Sequence, residues 1–177
     1  MKSIFILIIS LMFQNNAQYI FDFKKEQNTT NWYVVNDGVM GGLSKGSISI
    51  NESGYGHFKG YVTTENNGGF SSIRLAFERK NVSNFKQVVL RVKGDGKKYQ
   101  LRIKEKSSQR YSYITIFSTS EEWETIKIPF NSFYPSFRGY NLDKPNYSGE
   151  VMDEIAILFG NKKKESFSLQ IESILLD

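Results

Sequence analysis

The stretch Tyr99-Gln100-Leu101-Arg102-Ile103-Lys104 decides the fold class. Its apolar residues fall at every second position, with polar residues between them. Side chains alternate across a strand, so this pattern describes a strand with one face in a core and the other toward water. The same period recurs in both directions. Upstream, Val88, Leu90 and Val92 share a face of Phe85 to Lys93, and Ile73 and Leu75 fall within Phe70 to Phe77. Gly56 to Thr63 carries Phe58 and Tyr61, Gly46 to Asn51 carries Ile48 and Ile50, and Tyr19 to Phe23 is short and aromatic. Downstream come Tyr111 to Phe117, Trp123 to Ile128, Ile155 to Phe159, and Phe167, Leu169 and Ile171 in strict alternation.

Turn chemistry separates these runs. Asn36-Asp37-Gly38, Asn66-Asn67-Gly68-Gly69, Gly94-Asp95-Gly96 and Asn161-Lys162-Lys163-Lys164 are rich in residues that tolerate positive φ. The last three read as hairpin turns or tips. No window of ten or more residues after the amino terminus shows a helical stripe. Many short strands with regular turns predict an all-β sandwich or barrel. Phe130 to Glu150 is the least regular segment and reads as a long loop with one helical turn at Phe130 to Phe133.

Composition agrees and narrows the chemistry. The 177 residues suit one domain, and 15% aromatic content favours strands. There is no cysteine and one histidine, His57, which excludes disulfide frameworks, thiol catalysis, zinc fingers, iron–sulfur clusters and a two-histidine metal site within one chain. No cofactor or metal ligand set is expected. The charge of +5 is spread along the chain and no nucleic-acid motif accompanies it, so nucleic acid is not an expected partner. Lys2 and the apolar run Ile4 to Phe13 read as a secretory signal peptide of residues 1–17, cut near Ala17. The expectation is an exported protein, periplasmic or extracellular, with a single domain over 18–177.

Two blocks stand out as candidate sites. Asp37 to Ser44 packs Met40, Gly41 and Gly42 between polar residues. One reading is a loop whose amides and Ser44 hydroxyl bind a ligand or peptide. The other, preferred, is a tight structural loop in which Asp37 caps a turn, the glycines adopt special backbone angles and Met40 is a buried plug. The second block offers Asn66, Asn67, Phe70, Ser72 and Arg74, an amide, aromatic and guanidinium set of the kind that binds sugars, or else a turn entering a core strand. The two blocks are expected to lie together, with Arg74 binding a partner's carboxylate or that of Asp37. Trp32 and Trp123 are both expected to be buried. Asp143, Glu150, Asp153 and Glu154 could supply paired carboxylates, but no catalytic motif surrounds them, and His57 has no nucleophile-elbow motif to serve.

Trp32 to Ser44, with its Asp37 and Val39-Met40-Gly41-Gly42, resembles the signature of the complex I intermediate-associated protein 30 family. Four further blocks follow in order: Glu65 to Arg74; Val92 to Gly96 with Tyr99 and Leu101; Trp123 with Ile128-Pro129-Phe130, Phe133 and Arg138-Gly139; and Phe167-Leu169-Ile171. The resemblance covers about Tyr19 to Asp177. It implies a jelly-roll β-sandwich, similar to galactose-binding-like domains. It also implies a non-catalytic, chaperone-like assembly module with a protein client, membrane-associated in the family's mitochondrial members. The amino terminus departs from that pattern, since it lacks the arginines of a mitochondrial transit peptide. A carbohydrate-binding module is the rival reading, by likeness of fold alone.

Overall fold

The computed structural model describes residues 17–177; the signal-peptide expectation, on 1–17, lies outside the described residues but for Ala17. Thirteen strands follow in chain order: β1 (Gln18–Asp22), β2 (Trp32–Asn36), β3 (Lys45–Ile50), β4 (Gly56–Val62), β5 (Ser71–Asn81), β6 (Gln87–Lys93), β7 (Lys98–Lys104), β8 (Ser112–Ser118), β9 (Trp123–Pro129), β10 (Tyr134–Phe137), β11 (Tyr140–Asn141), β12 (Val151–Phe159) and β13 (Glu165–Leu176). One four-residue helix, α1 (Phe23–Glu26), is capped by the Asp22 carboxylate. The strands form two antiparallel sheets. The six-stranded sheet runs β3-β4-β13-β6-β9, with β1 also against β13; the seven-stranded sheet runs β11-β10-β8-β7-β12-β5-β2. The fold is an all-β sandwich of jelly-roll type.

Period-two patterning places each strand's apolar set between the sheets. Tyr99, Leu101 and Ile103 on β7 are buried, as are Phe167, Leu169 and Ile171 on β13 and Ile73 and Leu75 on β5. Aromatic rings fill the interior in contacting groups. Phe159 stacks on Phe167 at 4.6 Å and meets Tyr99 at 5.1 Å, while Phe21, Phe23 and Trp32 cluster at 4.6–5.6 Å at the other end.

The turn segments reverse the chain as their residues require, but they are not hairpins. Residues 63–70 lead from β4 to β5, 94–97 from β6 to β7, and 160–164 from β12 to β13, each from one sheet to the other. Turn residues encode a reversal; which strand the reversed chain pairs with depends on the whole sandwich. These arches gather at one end. Lys164 pairs with Glu65 across two of them, and the Asp95 carboxylate accepts the Ser168 amide at 2.9 Å and the Tyr99 hydroxyl at 3.0 Å.

Two expectations change. Phe130 to Glu150 is not a simple loop. It holds a 3₁₀ turn at Phe130–Ser132, β10 and β11, and buried Tyr147, whose amide donates to the Phe133 carbonyl at 3.0 Å. Trp123 is not core. It begins β9 at the sheet edge, half-buried, packed on Tyr55 at 4.4 Å and beside Arg91. An edge strand has a neighbour on one side only, so an aromatic there covers the surface rather than filling the interior.

Candidate functional site

The loop after β2 is built around one buried carboxylate. Asp37 is 2% exposed. Its Oδ1 accepts the Ser44 amide at 3.1 Å, and its Oδ2 accepts the amides of Gly69 at 2.6 Å and Phe70 at 3.3 Å. Burial alone would raise its pKa. Hydrogen bonding by Ser44, Gly69 and Phe70 outweighs burial and holds the carboxyl below its ordinary value. A side chain at Gly42 would place its Cβ 2.3 Å from the Asp37 carboxyl, and Gly41 closes the turn at φ +86°. The Ser44 hydroxyl accepts the Thr63 amide at 3.1 Å and donates to the Thr63 carbonyl at 3.2 Å.

The structure therefore brings the Asp37–Ser44 loop against residues 63–70, at the arch end. It does not pair Asp37 with Arg74. The carboxylate is spent on backbone amides, and among the described residues no ion pair joins the two. Asn66 is exposed in the left-handed region at φ 53°. Ser72 is fully buried on β5, its hydroxyl without a partner among the described residues. The side chains of Met40 and Asn67 lie outside what the structure describes.

Arg74 belongs to a different surface, the outward face of the seven-stranded sheet. Cross-strand register sets Tyr33, Arg74, Ala156, Arg102, Ile114 and Tyr134 in one row across six strands. On β12 the outward residues Glu154, Ala156 and Leu158 are all buried, although among the described residues no second layer covers this face. Long side chains from β5 and β7 rise on either side of small Ala156, so the face is a furrow with β12 as its floor.

Along the furrow lies a cavity of about 240 Å³. Leu158, Ser112 and Ser136 line it, with Phe70 and Phe137 as apolar walls. The remaining lining is cationic: Arg74, Arg102, Lys104, Arg110 and Arg138. The Phe137 ring has the Arg110 guanidinium at 5.6 Å and that of Arg138 at 5.4 Å from its centre. Arg102 donates from Nε and Nη2 to Gln100 Oε1 at 3.2 and 3.0 Å. Burial, and then the Arg74 charge, pull Arg102 down to about 10. The nearest acid, Glu154, is already engaged. It accepts the Tyr33 hydroxyl at 2.8 Å and faces Lys104 Nζ at 3.5 Å. Burial, then Glu154, raise the Tyr33 pKa.

The other candidate groups are dispersed. His57 lies on β4 in the opposite sheet, its Nε2 2.8 Å from the Ser168 hydroxyl. Asp153 faces Arg79 at 3.9 Å, while Asp143 and Glu150 are exposed. Of the residues proposed from sequence, Phe70 and Arg74 line the cavity. Arg102, Lys104, Arg110, Phe137 and Arg138 were missed, although the alternation of β7 already marks Arg102 and Lys104 as outward cations beside each other.

The family model described as complex I intermediate-associated protein 30 matches residues 21–171, and the chain belongs to that family. It is 26% identical over 183 residues to the mitochondrial complex I intermediate-associated protein 30 of Mus musculus, covering 89% of this chain and 55% of the mouse protein. The Drosophila melanogaster counterpart is 25% identical, over 71% of this chain and 50% of its own. The chain thus spans about half the length of these curated relatives. Among solved structures, a family 11 carbohydrate-binding module from Clostridium thermocellum, in complex with a mixed-linked tetrasaccharide, superposes with a TM-score of 0.65. It is 20% identical over 90% of this chain and 94% of that one. An exo-β-agarase structure superposes over 90% of this chain and 25% of its own, at a TM-score of 0.54 and 10% identity. At such identities the likeness is one of fold.

Proposed function

We propose that this member of the complex I intermediate-associated protein 30 family is a non-catalytic assembly module that holds a protein client on the open face of its seven-stranded sheet. One observation carries the reading: outward-facing Glu154, Ala156 and Leu158 are buried with no covering layer among the described residues, so the face is recessed to receive something. The relatives are named for association with intermediates of complex I, which supports a protein client. The arch-end loops are occupied holding one another, which favours the furrow over that end of the sandwich. The separation of His57 from Asp153 and Glu154, each engaged by its own partner, supports a binding rather than a catalytic role. The amino-terminal pattern supports export, and with it a client outside the cytoplasm.

The test is site-specific photo-crosslinking in the native host. A crosslinking residue at Ile116, exposed on the furrow face of β8, should yield discrete protein adducts. The same residue at Lys59, on the opposite sheet, should yield none. Adducts from Lys59 alone would overturn the assignment of the face. Glycan-array binding without protein adducts would replace it with the carbohydrate reading.

A further inference from the structure

We propose that the cavity between Arg74, Arg102, Arg110 and Arg138 is a carboxylate-binding pocket that seats an acidic side chain of the client. This deepens the function proposed above and rests on it for the identity of the ligand as a protein.

Charge carries the argument first. Among the described residues, five cationic side chains line the cavity and no acidic one does. Glu154 beside it already accepts from Tyr33 and faces Lys104. Glu154 counters Lys104, which leaves four guanidinium groups in excess at the recess, and such an excess costs free energy unless an anion visits it. Burial and Arg74 drag Arg102 down to about 10, the signature of that cost, and a carboxylate between the two guanidinium groups relieves it.

Geometry carries it next. Arg74 and Arg102 are both cross-strand partners of Ala156 and so stand two strands apart, roughly 10 Å between backbones. A methyl group is all that lies between them on that row. Arg102 is held by Gln100 through Nε and Nη2, which leaves Nη1 without a protein partner among the described residues. Arg110 and Arg138 lie beside the Phe137 ring. Guanidinium forks held in this way lose little freedom on binding and match the two oxygens of a carboxylate. Phosphate sites commonly add backbone amides from helix starts or nests. In a sheet face those amides are consumed by the ladder, so only side-chain donors remain. The cavity, about 240 Å³, is smaller than the roughly 300–1,000 Å³ of small-molecule pockets. It fits one acidic side chain of a longer ligand.

The experiment uses the protein from Gln18 onward and a fluorescent hexaglutamate peptide, with hexaglutamine as the uncharged control. Hexaglutamate should bind at least tenfold more tightly, and Arg102→Gln and Arg74→Gln should each weaken it by tenfold or more with an unchanged melting temperature. Arg79→Gln, which removes one charge from the same strand outside the cavity, should leave binding within twofold. Equal binding of the two peptides, or an equal loss in Arg79→Gln, would overturn the pocket. A variant that no longer melts cooperatively is replaced by the other, since either arginine tests the site. Crosslinking of the client from Ile116 separates the two levels. Adducts that persist when hexaglutamate fails to bind overturn the pocket and keep the face. Hexaglutamate binding without adducts upholds the pocket and overturns the face as a client surface.

Discussion

The Asp37 carboxylate accepts the Gly69 amide at 2.6 Å across 32 residues of chain, locking the loop after β2 to the arch before β5. With Ser44 and Phe70 it satisfies three backbone amides at the arch end. Removing it leaves those donors unsatisfied, so Asp37→Ala should lose about 3 kcal/mol of stability. The carboxyl titrates lower folded than unfolded. Its contribution is therefore complete above the unfolded value of about 4 and is lost as pH falls through the folded one. Urea melts at pH 7 and pH 3 should show the variant's deficit shrinking in acid; a constant deficit would remove the carboxylate from the account.

Gly42 is small because Asp37 is beside it. Gly42→Ala drives a methyl into the carboxyl and should cost about 1–3 kcal/mol. Gly38→Ala, in the same loop, meets nothing within 4 Å and should be neutral. Thermal melting of the pair distinguishes a packing constraint from general intolerance of the loop.

Arg74 and Asp37 do not depend on each other. Arg74→Ala should keep the wild-type melting temperature within about 2 °C, the change expected of a surface substitution under about 0.5 kcal/mol in a domain of this size. A clear loss of stability would place Arg74 in the framework instead of the furrow.

The two tryptophans should respond unequally. Trp32 is 6% exposed and packs against Phe21 and Phe23, so alanine there should cost about 3–5 kcal/mol. Trp123 rests half-buried on Tyr55 at the edge, and its loss should cost about 1 kcal/mol. Denaturation midpoints of the two variants give the comparison directly.

Export has its own readout. Mass spectrometry of the native protein should find an amino terminus at or near Gln18. Intact Met1 on cytosolic protein would end the proposal.

The alternation of β7 and β13 made the strands legible, because a half-buried strand writes its two faces into every second residue. Sheet membership was not legible. Gly94-Asp95-Gly96 signals a reversal equally well whether β7 returns beside β6 or crosses to the other sheet. Arg74 was legible as a functional candidate, but its partner was not. Which polar groups sit on the same row as Arg74 depends on β12 lying between β5 and β7, a neighbour relation spanning more than fifty residues. Arg110 and Arg138 join it only because β10, inside the segment read as loop, lies beside β8.

Strand β13 is the keystone of its sheet. It pairs with β4 along Glu165–Ile171, with β6 along Gln170–Leu176, and with β1 near its end. As the chain is synthesised, β4 and β6 emerge long before the strand that must fit between them, and each waits with an unpaired edge. Residues before Glu165 supply the whole seven-stranded sheet, but of the sheet opposite they supply only the pairs β3-β4 and β6-β9 and a lone β1, with no strand to join them. Synthesis must therefore run through β13 before any of the six-stranded sheet is complete, and a chain interrupted short of it is an aggregation hazard rather than a subdomain.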